Sequence, residues 1–437
     1  MLKNPITVAA GAKGLSAVLR RAYSIFDRYG PTPSKMDQSL RLFVRTLEPF
    51  DCGASVALTA VVLARNPHLI FKYLNGDIEF VVHGYTHVDY SQVPPKDRLL
   101  HLHRACEIFK AAGVPFSGFR SPYLRDVPGL NAAIEEAGYA YVCNQPIMWD
   151  VPDLVTGAPQ AYPSYQCALD FYWPWPASKR MSLPRLSGNL VQMPVSLPDD
   201  EMLIERFYDK PDRWVESVWR NVLHETHRRQ EMFVVQLHPE RIALCQADLS
   251  ALLEEARALS PPVWIARLDE VDRWWRARTE AAIDVRKRDE ATYHLAVSGP
   301  PGATILARGV EMIEPTSATP LGDDGYRRVP GMSCTVRASS RPFIGVSPAC
   351  SGELISFLRQ QGYIVKTSER ADLYSIYLDR PHFTPEQERA LLEEIEQQAG
   401  PLVRLARWPD GYHSVLCITG DIDALTLWDY GLRLLGK

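Results

Sequence analysis

Two histidines four residues apart, His83-Gly-Tyr-Thr-His87, follow the mostly apolar, β-branched run Ile78-Glu-Phe-Val-Val82. A strand that ends in His-x-x-x-His can bring two imidazoles to one side of the same turn, as a divalent metal needs. Two ligands do not complete a site. At the other end of the chain, Leu416-Cys-Ile-Thr-Gly-Asp421-Ile-Asp423 is a β-branched strand ending in Asp-x-Asp. Alternation along a strand sends both carboxylates out of the same edge. Between these stretches stand Phe119-Arg120-Ser-Pro-Tyr123, Ser196-Leu-Pro-Asp199-Asp200 and Leu237-His238-Pro239. Each has a plainer reading. The histidine pair could be a polar turn, Arg120 a salt-bridge residue, and His238 the end of a strand. Asp421 and Asp423 could cap a helix over Ala424–Leu434. His101 with His103, and His224 with His227, read as solvated helix faces.

The elements that must position these groups alternate between short apolar strands and helices. A helix is expected over Leu15–Tyr29 and another over Ser34–Glu48. Ala54–Leu63 reads as a strand, Pro67–Tyr73 as a short helix, Lys96–Ala112 and Asn131–Ala137 as helices, and Tyr139–Cys143 as a strand. Pro146–Pro184 reads as Pro- and Trp-rich loop. Then come strand Leu190–Val195, helix Pro211–Arg229 and strand Met232–Leu237, with a final helix–strand–helix passage to Arg278. This order implies a parallel sheet, as a barrel or an open sheet. After it, residues 285–340 read as a small β-rich module and 341–413 as a small α/β module. The last strand, Ser414–Thr419, follows.

Taken in order, His83-Gly-Tyr-Thr-His87, Phe119-Arg-Ser-Pro-Tyr123, Pro194-Val-Ser-Leu-Pro-Asp-Asp200 and Leu237-His238-Pro239 resemble the second to fifth motifs of the NodB-homology polysaccharide deacetylases, carbohydrate esterase family four. The resemblance covers roughly residues 35–278. The family's first motif, an Asp-Asp or Asp-x-Asp ending the first strand, should precede residue 54. There, Ile25-Phe-Asp27-Arg-Tyr-Gly-Pro has Arg28 where the metal-binding carboxylate belongs. The better match is Asp421-Ile-Asp423, which implies a circular permutation of a distorted (β/α) barrel. Residues 1–284 plus 414–437 would then make the barrel, with the two small modules inserted.

The resemblance implies a zinc ion, or another divalent metal such as Co2+, Ni2+ or Mn2+, held by Asp423, His83 and His87. It implies Asp421 as general base, Arg120 as the arginine that holds it, and the Tyr123 backbone N–H as an oxyanion donor. His238 would be the acid, oriented by Asp199 or Asp200. Gln236 stands where the family has a leucine of the acetate-methyl pocket. Trp173 and Trp175 could stack on sugar rings, or the Pro-rich loop could pack on its own domain. The activity implied is N-deacetylation of an amino sugar or glycan precursor. The alternatives are allantoinase-like hydrolysis of a cyclic amide or imide, and a non-catalytic glycan-binding barrel.

Composition bounds these readings. The 437 residues call for more than one core, and 46% hydrophobic with 23% charged residues fit a globular protein. A net charge of −4 without basic runs argues against nucleic acid as the partner, leaving a carbohydrate or other small amide. No apolar run reaches the roughly 20 residues of a membrane span. Residues 1–14 lack a secretory apolar region, and the eight cysteines are scattered, so a cytoplasmic setting is expected. A homo-oligomer is compatible with the sequence, including one in which a partner supplies the Asp421 strand.

Overall fold

The structure is a computed structural model that describes residues 25–26, 28–151, 162–207, 213–322 and 324–436. Asp27 and most of the helix expected over Leu15–Tyr29 lie outside them. The largest sheet is built from ten strands: β1 (Ala54–Leu58), β2 (Ile78–Val82), β3 (Gly118–Phe119), β4 (Tyr141–Met148), β5 (Trp175–Pro176), β6 (Arg185–Ser187), β7 (Leu190–Leu197), β8 (Met232–Leu237), β9 (Val263–Ile265) and the late strand Ser414–Ile422. Its main path runs β6-β7-β4-β3-β2-β1, then the late strand, then β8. β5 pairs with β4, and β9 with the late strand. Every ladder in it is parallel except β6–β7.

The central strands are apolar throughout because both faces are covered. All residues of β1, of β8 and of the late strand are buried, as expected of parallel strands flanked by helices. The covering helices include α1 (Ser34–Leu47), which turns Met36, Leu40, Phe43 and Leu47 inward, and Trp214–Arg228, which buries Trp214, Val218, Trp219 and Val222. Among the described residues no backbone ladder joins β8 back to β7. β7 and β8 are linked instead by the Val234 backbone N–H, which donates to Ser196 Oγ at 3.3 Å.

Two stretches differ from the sequence expectation. The run Ala54–Leu63 divides: β1 ends at Leu58, Thr59 is extended, and Ala60–Arg65 is helical. A short buried strand and a short buried helix share the same apolar composition, so periodicity cannot separate them. The Pro- and Trp-rich stretch contains a helix, Tyr162–Tyr172, and β4 runs on through Pro146 to Met148.

Seven strands over 282–337 form the β-rich segment: β10 (Ala282–Lys287), β11 (Thr292–Ser298), β12 (Ile305–Arg308), β13 (Glu311–Glu314), β14 (Thr319–Pro320), β15 (Arg327–Val329) and β16 (Ser333–Arg337). Beyond them β17 (Ile344–Val346), β18 (Val365–Thr367) and β19 (Tyr377–Leu378) make a parallel three-stranded sheet, carried with helices Gly352–Gln360 and Glu388–Gln397. β20 (Leu402–Leu405) leaves this unit to pair antiparallel with β12, so the two segments share a sheet. Ion pairs tie them to the large sheet's unit: Arg185–Glu388 at 2.9 Å and the buried Arg389–Glu231 at 2.9 Å. The chain then enters β21, the late strand Ser414–Ile422.

β21 settles between β1 and β8 and pairs parallel with both, in the same chain. Its register sets Ala57 opposite Asp421 and Gln236 opposite Thr419. The C-terminal ends of β1, β2, β3, β8 and β21 therefore open on one edge, where parallel α/β sheets present their functional groups.

Candidate active site

His83 directly follows β2, and its backbone N–H continues the ladder by donating to Leu58 O (2.9 Å). Gly84 then takes φ +80°, a left-handed conformation, and a Cβ there would press on Thr86 O at 3.0 Å. That tight turn returns the chain so that the His83 and His87 rings lie 5.1 Å apart. Asp423 follows β21 and lies on the same face as Asp421 by strand alternation. The Nε2 atoms of His83 and His87 approach Asp423 Oδ1 to 3.3 and 3.2 Å, and all three side chains are buried.

Those distances join a trio of possible metal ligands, yet among the described residues Asp423 Oδ1 receives no well-aligned hydrogen bond. His83 Nδ1 lies 2.9 Å from the Arg120 carbonyl, which can only accept, so Nδ1 carries a proton and Nε2 is the ring nitrogen turned to Oδ1. The ligand atoms of His83, His87 and Asp423 lie within 4.8 Å of one another, and a neutral histidine pair with one carboxylate is a common donor set for zinc and similar ions. The residues fit a metal.

Arg433, which no sequence signal marked, adjoins this trio. It projects from the helix Leu427–Leu434, its Nη1 2.7 Å from Asp423 Oδ2, and its Nε donates to His87 Nδ1 at 3.1 Å. Burial works against the Asp423 carboxylate, but Arg433 and the histidines hold it well below the usual carboxylate range. His87 is lowered to about 4 by burial and by Arg433, against the pull of Asp423. A guanidinium only donates, so His87 Nδ1 accepts, and the neutral ring bears its proton on Nε2. Ligation through that Nε2 requires the Arg433 contact to open. The helix itself is capped by Thr426, whose side chain accepts from Asp429 N. Asp421 and Asp423 are therefore not its caps.

Asp421 is buried, and both of its oxygens accept hydrogen bonds. Arg120 Nη1 donates to Oδ1 at 2.8 Å and Gln236 Nε2 to Oδ2 at 2.9 Å. Arg120 follows β3 and is fixed from below, donating also to Thr419 Oγ1 (2.9 Å) and Cys143 Sγ (3.3 Å). Burial disfavours its charge, but the Asp421 carboxylate more than restores it, so its pKa rises above the ordinary value. Asp421 Oδ2 is 3.9 Å from His83 Nε2, beside the candidate trio.

His238 follows β8, the strand next to β21. Gly420 lets the Pro239 ring close over β21, since a Cβ there would meet it at 3.2 Å. Asp200 grips His238 twice: Oδ1 lies 2.6 Å from Nδ1 and Oδ2 accepts the backbone N–H at 2.7 Å. Burial pulls the imidazole pKa down, but the Asp200 carboxylate outweighs it and pushes it up to about 10. Asp199 does not touch the ring in this way. Its Oδ1 accepts from Met202 N (2.8 Å), and burial followed by the Asp200 charge raises its pKa. Asp199, Asp200 and His238 also cluster as three candidate ligands, with Asp200 hydrogen-bonded to the His238 ring.

Tyr123 has left-handed backbone (φ 60°, ψ 20°), and its ring meets His87 edge-on at 4.7 Å. Phe171 meets Tyr123 at 5.4 Å, and the Arg125 guanidinium lies 4.5 Å from the Phe171 ring and 4.4 Å from that of Trp173. Trp173, 59% exposed, thus ends an aromatic row that starts at a candidate ligand. Trp175 instead packs on Arg180 at 5.4 Å. His227 is not a solvated residue: it is buried, with Nδ1 2.9 Å from Ser414 Oγ. His224 is exposed and pairs with Glu255, as a surface histidine should. The eight cysteines are all free. No helix among the described residues is long and apolar enough to cross a membrane.

No protein-family model matches the chain. No curated protein matches it either. Among solved structures, it is similar to a protein described as a polysaccharide deacetylase from Mycobacterium smegmatis (18% identity, TM-score 0.41, 57% of this chain and 81% of that one). It is also similar to Puue allantoinase (19% identity, TM-score 0.42, 55% and 72%). A third is described as a polysaccharide deacetylase from Pseudomonas aeruginosa PAO1 (17% identity, TM-score 0.41, 55% and 73%). At these scores the likeness carries no weight of its own, and the functional reading rests on the site.

Proposed function

We propose that this chain is a metal-dependent hydrolase that cleaves an amide C–N bond, with an N-acylated amino sugar or glycan precursor as substrate. The observation that carries the reading is the convergence of His83 Nε2 and His87 Nε2 on the buried Asp423 Oδ1, with Asp421 beside them. The ligands would be His83, His87 and Asp423. A divalent metal held there supplies Lewis acidity, which makes water a stronger acid and polarises an acyl oxygen.

The protein's own groups then divide the proton work. Asp421, fixed by Arg120 and Gln236, takes a proton from the water whose oxygen bonds to the acyl carbon. The Tyr123 backbone N–H is assigned to the oxygen that gains charge at that carbon. As the C–N bond breaks, protonated His238 gives its Nε2 proton to the departing amine. Asp200 holds Nδ1–H and keeps the ring charged. The products are a carboxylic acid and a free amine. Asp199 keeps a supporting place beside Asp200, and Trp173 a place against the sugar.

In this reading β21 is the first strand of the deacetylase barrel displaced to the chain's end, with 285–340 and 341–413 inserted before it. The test is release of acetate from N-acetylated glucosamine oligomers by zinc-loaded protein. Turnover lost in D421N with zinc retained supports the assignment; equal turnover in D421N and wild type removes it.

A further inference from the structure

A cleft of about 370 Å³ lies between the large sheet's unit and the helices of the three-stranded parallel unit, and none of its lining residues belongs to the candidate active site. One wall is β6, with Gln192 of β7 and the stretch 180–184 that leads into β6. The other is one face of the helix Gly352–Gln360, with Glu388 from the start of the next helix. Small-molecule sites enclose roughly 300–1,000 Å³, so this one has room for a single sugar ring.

Direct contacts between the two units fix its walls. Gln360 reaches across to the Leu186 backbone, accepting from its N–H at 2.8 Å and donating to its carbonyl at 3.0 Å. Arg185 donates to Glu388 Oε1 at 2.9 Å. Gly352, Ser356 and Gln360 follow at intervals of four along the helix and so share a face. A Cβ on Gly352 would meet nothing within 4 Å, which leaves that end of the face open.

The four charged side chains of the lining are not equivalent. Arg185 and Glu388 pair with each other, and Glu353 is exposed. Arg180 is half-buried, and among the described residues no carboxylate lies within ion-pair distance of its guanidinium. A guanidinium only donates, so the Gln145 atom that faces it is the amide oxygen, accepting from Nε at 3.1 Å and Nη2 at 2.8 Å. The Trp175 ring covers the same group at 5.4 Å. Burial lowers the Arg180 pKa, opposed by the Glu388 charge and aided by that of Arg185. A fixed, half-buried guanidinium with no paired carboxylate favours an anion beside it, and its fork suits carboxylate or phosphate. Elsewhere on the lining, Ser187, Gln192 and Ser356 can both donate and accept, as the hydroxyls of a ligand require, while Leu186 and Phe357 offer apolar surface.

We propose that this cleft is a second binding site, which takes a small hydroxylated molecule bearing one anionic group, phosphate or carboxylate, with that group on Arg180. The inference does not rest on the hydrolase reading.

Glucose 6-phosphate, glucuronate and glucose share a ring and differ in the anionic group. Their dissociation constants, and that of inorganic phosphate, are measured by calorimetry on the full chain with and without zinc. Wild type is compared with R180Q, which removes the charge, and with S356W, which fills the cleft from an exposed position. Thermal unfolding confirms that each variant is folded. At least one anionic sugar is expected to bind wild type tenfold or more tightly than glucose, with or without zinc, and to lose that advantage in both variants. A preference for glucose 6-phosphate assigns phosphate to Arg180, and a preference for glucuronate assigns carboxylate. Anionic sugars that bind no more tightly than glucose, or that bind R180Q or S356W as tightly as wild type, overturn the site. Binding that requires zinc overturns it too, because the sugar then sits at the metal centre. Inorganic phosphate binding as tightly as glucose 6-phosphate overturns the hydroxylated class of ligand.

Discussion

Arg120 Nη1 and Asp421 Oδ1 meet at 2.8 Å although the two residues are 301 positions apart. Both are buried, one at the end of β3 and the other near the end of β21. Their pairing links the chain's last strand to the edge where His83, His87 and His238 also lie. Removing one partner of a buried ion pair leaves a charge uncompensated, at a cost of about 3–5 kcal/mol. R120M should therefore lower stability by that order and reduce turnover at least a hundredfold. Denaturant unfolding read beside steady-state kinetics checks it, and an R120M protein as stable and active as wild type would show the pair to be dispensable.

Arg433 should weaken the metal site it adjoins. Its charge lies 2.7 Å from Asp423 Oδ2, and its Nε occupies His87 Nδ1, which leaves the His87 proton on the nitrogen that faces the other ligands. R433Q removes the charge and is expected to tighten zinc binding about tenfold or more. Competition against a chromogenic chelator measures this. Weaker binding in R433Q would mean that the guanidinium orders the ligands rather than competing for them.

The His238–Asp200 pair predicts a pH dependence of defined sign. The imidazole pKa, raised to about 10 in the folded protein, exceeds the unfolded value of about 6.5, so folding takes up the proton more tightly. The pair's contribution to stability is complete below about 6.5 and is lost as the pH rises through about 10. Wild type should thus exceed H238Q in stability by more at pH 6 than at pH 10.5. In the proposed mechanism the same proton goes to the departing amine, so the alkaline fall in kcat should move to lower pH in D200N. A limb that stays in place would remove His238 as the acid.

Much of the site could be read from residue order. The His83–His87 turn, the Asp421-x-Asp423 strand end and His238 all sit where apolar runs stop, and such strand ends are local signals. What escaped was what only packing decides. Arg433 is one basic residue in a short terminal helix, and nothing in its neighbours indicates that the helix points it at Asp423. Gln236 stood out only because it occupies the place of a leucine in the resembled family, with no sign that it would reach Asp421. The helix Tyr162–Tyr172 was hidden by its aromatic and Pro-rich flanks, and β20 by the fact that its ladder partner, β12, is about a hundred residues away. His227 looked solvated because its helix is charged, yet it faces Ser414.

Trp173 tests whether the aromatic row serves a substrate. It is 59% exposed and stacks on Arg125, so W173A removes little buried area and should change stability by less than about 0.5 kcal/mol. If a sugar ring packs on it, KM for glucosamine oligomers rises several-fold while kcat holds. An unchanged KM would assign the ring to packing on Arg125 alone.

The central claim is that His83, His87 and Asp423 hold one metal ion, with Asp421 beside it but not among the ligands. Zinc stoichiometry and affinity, measured on wild type, D423N, H87Q and D421N after stripping and reloading, test it most directly. The account predicts one equivalent in wild type and D421N, and affinity reduced at least a hundredfold in D423N and H87Q. One equivalent retained at full affinity in D423N, or none in folded wild type, would contradict it.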